Sequence, residues 1–211
     1  MQANLATTDA TGGSSILYKI DGADYLMEIS GAWNDFADAN EGPELVADAV
    51  LGHSLWDYVG DLTTRQLYRT ILRHVRNDGV AVRFRFRCDG PTMRRLLEME
   101  IAPVDSGHVR FSVVPVAEAT RPAVPLLDVA QKVARGGKLI MCGWCQDVRL
   151  PGPRWVPAEQ AVTALGLFEG TEIPTVSHGI CPDCHDELTG ALLDTTLAEG
   201  GTITLGDWVV G

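Results

Sequence analysis

Two pairs of cysteines constrain this chain more than any other feature. Cys142-Gly-Trp-Cys145 and Cys181-Pro-Asp-Cys184 each hold two thiols one tight turn apart. Four thiolates in two such pairs can close a tetrahedron around one soft metal ion, and a closed set leaves no position for water. The pattern therefore predicts a structural zinc site that stabilises a small module, with the ligands Cys142, Cys145, Cys181 and Cys184.

The same cysteines allow other chemistry. An iron–sulfur or single-iron centre would use four thiolates too, and a redox-active or merely buried set of thiols is a third interpretation. Cys181-Pro-Asp-Cys184-His185 fits the C-x-x-C-H pattern of haem attachment, and a thioredoxin-like dithiol would match the first pair. His178 is a reserve ligand that would replace one cysteine or hydrogen-bond to the set. Cys88 is predicted to be a small residue at a strand end.

Length, hydropathy and charge indicate how many cores the chain can form, where the protein is expected and which partners are disfavoured. The chain has 211 residues, 45% of them hydrophobic, which suffices for one main core and a second, small, stapled one. No apolar run reaches 18 residues and the first residues do not resemble a secretory signal, so we expect a cytoplasmic protein with reduced thiols and no membrane contact. The formal net charge of −11 argues against nucleic acid as the main partner.

The charges are unevenly placed. Residues 1–50 carry nine acidic side chains and the single base Lys19, whereas residues 65–110 carry ten arginines and five acids. Acidic and basic layers of one domain that face each other, or solvated faces, would explain this distribution. An arginine-lined surface that docks an acidic partner is the alternative.

Hydrophobic periodicity predicts an α+β domain after a flexible tail at residues 1–12. A helix follows Asp61, capped by Thr63 or Thr64 and stopped at Asn77-Asp78-Gly79. Short helices are expected at 32–40 and 43–50. Alternating residues predict strands at 16–20, 25–29, 80–87, 93–101 and 109–113, with Glu98 and Glu100 paired to arginines of the preceding strand. The natural packing is an antiparallel sheet with helices on one face.

Three segments of this region resemble a bacterial PAS-like family. They are Trp33-Asn34-Asp35-Phe36-Ala37 with Asn40, Leu51-Gly52-His53-Ser54-Leu55-Trp56, and Phe86-Arg87-Cys88-Asp89-Gly90-Pro91. They match the family's W-x-x-F-A-x-x-N, V-L-G-x-S-L-W and R-C-D-S-P segments, except that Gly90 stands where the family turn has serine. The family is often followed by C-x-W-C, W-x-P-x-E and H-G-I-C-P-x-C segments, as here, so the resemblance spans roughly residues 13–188.

The resemblance implies a PAS-like sensory domain at 13–117 with a five-stranded antiparallel sheet. A linker with a short helix would cover 118–137, the zinc module 138–190, and a tail with a possible strand or hairpin 191–211. PAS folds commonly enclose a cavity between helices and sheet, so a small-molecule ligand is an open expectation. His74 and His53 are the candidate cofactor-binding residues, with His74 near the position where haem-binding PAS domains supply an axial ligand.

Together these features predict a cytosolic sensory or adaptor protein that acts through protein–protein contacts, with a partner or as a homodimer. No nucleic-acid or membrane partner is expected, and we expect no enzymatic activity. A ligand-, haem- or redox-sensing PAS protein is the alternative. An enzyme with a catalytic zinc is a further alternative, which the four available cysteines disfavour because a catalytic site keeps one position open.

Overall fold

The computed structural model describes residues 15–39, 42–128, 138–168, 174–193 and 201–205. These residues form a mixed α+β structure with one six-stranded and one four-stranded sheet. The helices are α1 Trp33–Ala39, α2 Ala47–Val50, α3 Leu55–Tyr58, α4 Leu62–Asn77, α5 Ala158–Ala164 and α6 Pro182–Leu193. The strands are β1 Ile16–Ile20, β2 Leu26–Gly31, β3 Ala81–Arg87, β4 Met93–Pro103, β5 Val109–Thr120, β6 Lys138–Cys142, β7 Val148–Arg149, β8 Trp155–Val156, β9 Thr175–Gly179 and β10 Thr202–Leu205. The predicted tail at 1–12 lies outside the described residues.

The main sheet has six strands in the order β10-β3-β4-β5-β1-β2. Five of them are antiparallel neighbours, as the pattern predicts. The prediction of a five-stranded sheet is nevertheless wrong, because β10 adds a sixth strand parallel to β3, with Leu205 opposite Phe84. The C-terminal strand satisfies the backbone groups of an otherwise open edge and buries Ile203 and Leu205.

One face of the main sheet is covered by α4. Its buried residues Leu67, Ile71, Leu72 and Val75 belong to the same core as Phe84, Ile101 and Phe111 of the sheet. The helix ends at Asn77, and Gly79 follows with a positive φ of 66°, as predicted. The predicted cap is wrong: Asp61, not Thr63 or Thr64, accepts the N–H of Thr64 at 2.7 Å.

The opposite face of the sheet is a ladder of paired charges. Arg83 Nη2 lies 2.6 Å from Glu100 Oε2, and Arg85 Nε lies 3.3 Å from Glu98 Oε2, which confirms the predicted pairing across β3 and β4. Arg110 adds a 3.5 Å pair with Glu100. These pairs compensate Arg83, Arg85 and Arg110 within the region 65–110 itself. One pair, between Arg76 Nη2 and Asp24 Oδ1 at 2.8 Å, joins this region to the acidic residues 1–50.

The residues of the family-like segments hold the short helices in place. Trp33 Nε1 donates to the carbonyl of Leu45 at 2.6 Å, and Asn34 Oδ1 accepts the N–H of Ala47 at 2.8 Å. Trp56 Nε1 donates to Asp24 at 2.8 Å. These side chains tie helices that are too short to form alone to the strands beside them.

The second sheet, in the order β8-β7-β6-β9, carries the cysteine pairs. Strands β6 and β9 are parallel, and β6, β7 and β8 are antiparallel neighbours. Helix α5 follows β8 directly, with Pro157 at its N-cap position. Of the predicted linker at 118–137, the first residues continue β5 to Thr120 and 125–127 form a 3-10 turn, while 129–137 lie outside the described residues.

Candidate metal centre

The first cysteine pair lies in the turn between β6 and β7. Cys142 ends β6, and its N–H donates to the carbonyl of Asp147 at 2.8 Å. The chain turns back because the N–H of Gln146 donates to the carbonyl of Cys142 at 3.0 Å and Gln146 adopts a positive φ of 62°. This tight turn brings both thiols of the pair to the same side.

The second pair is presented by α6. Cys181 immediately precedes the helix and Cys184 lies in its first turn, with Pro182 at the first helical position. Strand β9 delivers this helix beside the first pair, since Cys142 lies opposite Gly179 in the parallel register and Gly143 N–H donates to the Gly179 carbonyl at 2.9 Å. The positive end of a helix favours thiolates over thiols.

The four sulfur atoms lie within 4.8 Å of one another. Cys145 and Cys181 are 3.8 Å apart between their Sγ atoms, and all five cysteines of the chain are free. A tetrahedron with metal–sulfur bonds of about 2.3 Å has sulfur–sulfur edges of about 3.8 Å. The separation of Cys145 and Cys181 matches such an edge, and the group of four could bind a metal ion.

The surroundings of the cluster stabilise negative charge. Cys142 Sγ accepts the N–H groups of Trp144 and Cys181, each at 3.4 Å, and Cys181 Sγ accepts the N–H of Cys184 at 3.4 Å. Cys142, Cys181 and Cys184 are buried, and Cys145 is half-buried. A buried thiolate needs such donors or a cation, because an isolated buried charge is strongly disfavoured.

The thiols titrate as one set. Hydrogen bonds from Cys145, Cys181 and Cys184 lower the pKa of Cys142, whereas hydrogen bonds with the other three thiols raise the pKa of Cys184. Four adjacent thiols cannot all ionise without a counter-charge. A divalent cation would supply that charge and displace the remaining protons, so the donor set fits a resident metal ion.

Trp144, inside the first pair, joins the cluster to the main sheet. It is 4% exposed, and its ring lies 6.0 Å from that of Phe84 and 5.9 Å from that of Tyr68. The backbone continues the contact, since Arg87 N–H donates to the Trp144 carbonyl at 2.7 Å and Arg87 Nη1 donates to the Cys145 carbonyl at 3.1 Å. Three of the four cysteines and Trp144 therefore belong to the core of the main sheet.

A network of buried charged side chains forms a second connection between the two sheets, next to the cysteine cluster. The Asp89 side chain, which is fully buried, pairs with Arg87 and lies 3.2 Å from Arg121 Nη1. Arg121, 5% exposed, also pairs with Glu159 of α5 at 2.8 Å. Glu159 in turn lies 3.1 Å from Arg94 of β4. This network connects the R-C-D-x-P turn of the main sheet to the second sheet.

Sequence reasoning missed Gln146, Arg121 and Glu159. Gln146 forms the turn after the first pair, and its Oε1 accepts the N–H of Asp89 at 3.0 Å. Arg121 and Glu159 face each other across 38 residues of chain. No periodicity or spacing indicates such a long-range pair, so the sequence carried no readable signal for it.

The other predicted site residues lie apart from the sulfur cluster. His178 is exposed on β9 and does not belong to the group of four. Cys88 is half-buried, and burial raises the pKa of its thiol. His74 pairs with Asp78 on α4 at 2.7 Å, and His53 is exposed.

A small pocket of about 210 Å³ lies between the helices and the main sheet. Its lining includes Tyr18, Trp33, Leu55 and Tyr68, and burial raises the pKa of Tyr18 well above its usual value. Neither His74 nor His53 is among the lining residues. The described histidines therefore do not face this pocket.

Comparison with protein-family models and with curated proteins gives no match for this chain. Within the described residues, no helix is both long and apolar enough to cross a membrane.

Proposed function

We propose that this chain is a PAS-like sensory or adaptor protein whose output is contact with another protein or a second copy of itself, and that its four cysteines hold a structural zinc ion. The observation that carries the proposal is the closed cysteine cluster built into the core of the main sheet. A four-thiolate site has no open coordination position, so its role is to fix a surface.

The order of elements supports the PAS-like assignment. Two strands, a group of short helices and one long helix precede three antiparallel strands, and all five strands share one sheet. The long helix covers one face of that sheet, as the resemblance implies. PAS-like domains detect small molecules or mediate association, which is the source of the sensory or adaptor role.

Zinc is the metal that four thiolates in a structural site most often bind. Metal analysis of the native protein with its absorption spectrum tests this assignment. We expect one zinc ion per chain and a colourless protein. Bound iron with visible absorption would show that the site is an iron centre and not a zinc site. A folded protein without metal would contradict the proposal of a metal site.

The protein-contact output is tested by the association state. We expect a dimer, or a heteromeric complex in the native source, detected by sedimentation equilibrium and by purification of the untagged complex. Val114, exposed on β5 opposite Glu98, offers a probe of the outer face of the sheet. Val114→Glu should weaken association, whereas Leu51→Glu on the helical side should not. A monomer at high concentration with no partner contradicts the output.

Ligand sensing is the second candidate function, and the 210 Å³ pocket favours it. The pocket is smaller than the usual range of about 300–1,000 Å³ for drug-sized ligands, so it suits a small apolar molecule. Denaturing mass spectrometry of the purified protein would detect a retained molecule, and a haem would give its characteristic visible absorption. If freshly purified protein shows neither signal, that result would argue against a tightly held ligand.

A further inference from the structure

A larger cleft of about 950 Å³ lies between the start of α4 and the cysteine module. One wall is formed by residues 58–64, and the opposite wall includes Ile140 of β6 and Ser177 of β9. It is a separate opening from the 210 Å³ pocket, although Tyr58 and Tyr68 border both. Its volume is that of a site for a drug-sized organic molecule.

The bottom of the cleft is aromatic. Trp144 lies 6.0 Å from Phe84 with the ring planes 40° apart, and Phe84 lies 6.2 Å from Phe86 at 56°. Tyr68 lies 5.9 Å from Trp144. Phe84 and Trp144 are almost fully buried, so the half-buried rings of Tyr68 and Phe86 are the accessible part of this aromatic cluster. Such a surface suits a flat aromatic ring laid against it.

Trp144 also supplies an unsatisfied donor. Its residue is 4% exposed, and its buried indole N–H has no hydrogen-bond partner among the described residues. A buried N–H without an acceptor is costly, and such a group in a native fold calls for an explanation. An acceptor atom on a bound molecule would satisfy it.

The mouth of the cleft carries one uncompensated positive charge. Lys138, exposed at the start of β6, forms no ion pair within the described part of the chain. The carboxylate of Asp61, on the other wall, is engaged at the N-terminus of α4 through Thr64 N–H. The positive end of that helix offsets the charge of Asp61. An anionic group at the mouth would therefore pair with Lys138.

We propose that this cleft binds a planar aromatic molecule that carries an anionic group, with the ring against the aromatic surface and the anion at Lys138. The proposal concerns a different opening from the PAS-type pocket and does not depend on the protein-contact output. The ring would lie near Tyr68 and Phe86, and its anionic group would face Lys138, which has no ion pair among the described residues.

Two fluorescent probes with one skeleton test the class of ligand. 8-Anilinonaphthalene-1-sulfonate is aromatic and anionic, and N-phenyl-1-naphthylamine lacks the sulfonate. We expect saturable binding of one sulfonate probe per chain, tighter than that of the neutral probe. Lys138→Gln should weaken the sulfonate probe by up to about fivefold, as for a partly exposed ion pair, and leave the neutral probe unchanged. Arg73→Gln, which removes an exposed charge of α4 outside the cleft, should change neither.

A second pair of variants tests the location. Thr63→Trp places a large ring at the cleft wall, whereas Gln66→Trp places the same ring on an exposed position of α4 outside the cleft. We expect Thr63→Trp to abolish binding of the sulfonate probe and Gln66→Trp to preserve it. Absence of saturable binding to the original chain, binding that survives Thr63→Trp, or equal affinity of the two probes would each overturn the proposal.

Discussion

The two apolar cores of this protein differ in the size of their buried side chains. The core of the main sheet contains large, fully buried residues such as Phe84, Phe111, Ile71 and Ile101. Among the described residues, the core of the second sheet has eight buried ones, such as Val148, Ala158 and Ala161, and strands β7 and β8 have two residues each. A sheet so small does not hold itself together in water. We therefore expect the second sheet to depend more than the main sheet on the cysteine cluster and on contacts with its neighbour.

The position of the cysteines shows where that dependence is met. Cys142, Cys181 and Cys184 belong to the main core, together with Trp144 and Leu188. The cysteine cluster thus connects the two regions and does not belong to the smaller one alone. Variants that act on this connection should separate the regions, while variants elsewhere should not.

Removal of one ligand should have the largest effect. Cys142→Ser takes away a fully buried ligand that accepts two backbone N–H groups. We expect loss of the metal, because serine replaces the thiolate ligand with a hydroxyl. Unfolding of the second sheet should follow, since structural zinc sites contribute about 10 kcal/mol or more to folding. Metal analysis and hydrogen exchange should show unprotected amides in β6 and β9 and protected amides in α4. Cys88→Ala should keep the metal; retention of full metal by Cys142→Ser would refute the ligand assignment.

Loss of the aromatic joint should come next. Trp144→Ala removes a large buried side chain that contacts both Phe84 and Tyr68, and such truncations cost about 3–5 kcal/mol. Urea unfolding followed by circular dichroism measures the change. Tyr25→Ala, at a position 48% exposed, should cost less than about 0.5 kcal/mol. Equal losses for the two variants would show that Trp144 is not a joint.

The buried carboxylate beside the centre should matter slightly less. Asp89→Asn leaves the guanidinium of Arg121, 5% exposed, with a weakened counter-charge. Breaking a buried pair in this way costs about 3 kcal/mol. Glu118→Gln is the matched control, because its 3.8 Å pair with Arg95 is half-exposed and should contribute less than about 1 kcal/mol. The comparison fails if both variants unfold at the same urea concentration.

The smallest expected effect is pH-dependent. Burial acts to raise the pKa of Glu159, but its own backbone N–H and its contacts with Arg94 and Arg121 outweigh burial and lower the pKa. A lowered pKa contributes stability that is present above the ordinary value and is lost as the pH falls through the folded value. Because this side chain is partly exposed, Glu159→Gln should cost less than about 1 kcal/mol at pH 7. The free energies of unfolding of the original chain and of Glu159→Gln should converge as the pH falls. A difference that grows as the pH falls would contradict the lowered pKa of Glu159.

The sequence predicted the regular parts of the main sheet well. The period of Leu67, Ile71, Leu72 and Val75 indicates α4, and the alternation of Val82, Phe84 and Phe86 indicates β3. Both patterns report burial of one face, which is a local property of an amphipathic element. The cysteine spacing likewise identified the four side chains that the fold brings together.

Long-range pairing lay beyond that reasoning. Strand β10 pairs with β3 across more than 100 residues, and no local pattern in Thr202–Leu205 selects that edge. The positive φ of Gln146 and the pair formed by Arg121 and Glu159 depend on where other elements pack. Such features are fixed by tertiary contacts and not by propensity.

A metal ion held by the four thiolates would join the two regions. Native mass spectrometry of the intact chain, purified without chelator, tests this claim most directly. The account predicts one zinc ion bound per chain, released on acidification together with loss of the compact charge-state distribution. A metal-free chain that keeps its compact distribution would contradict it.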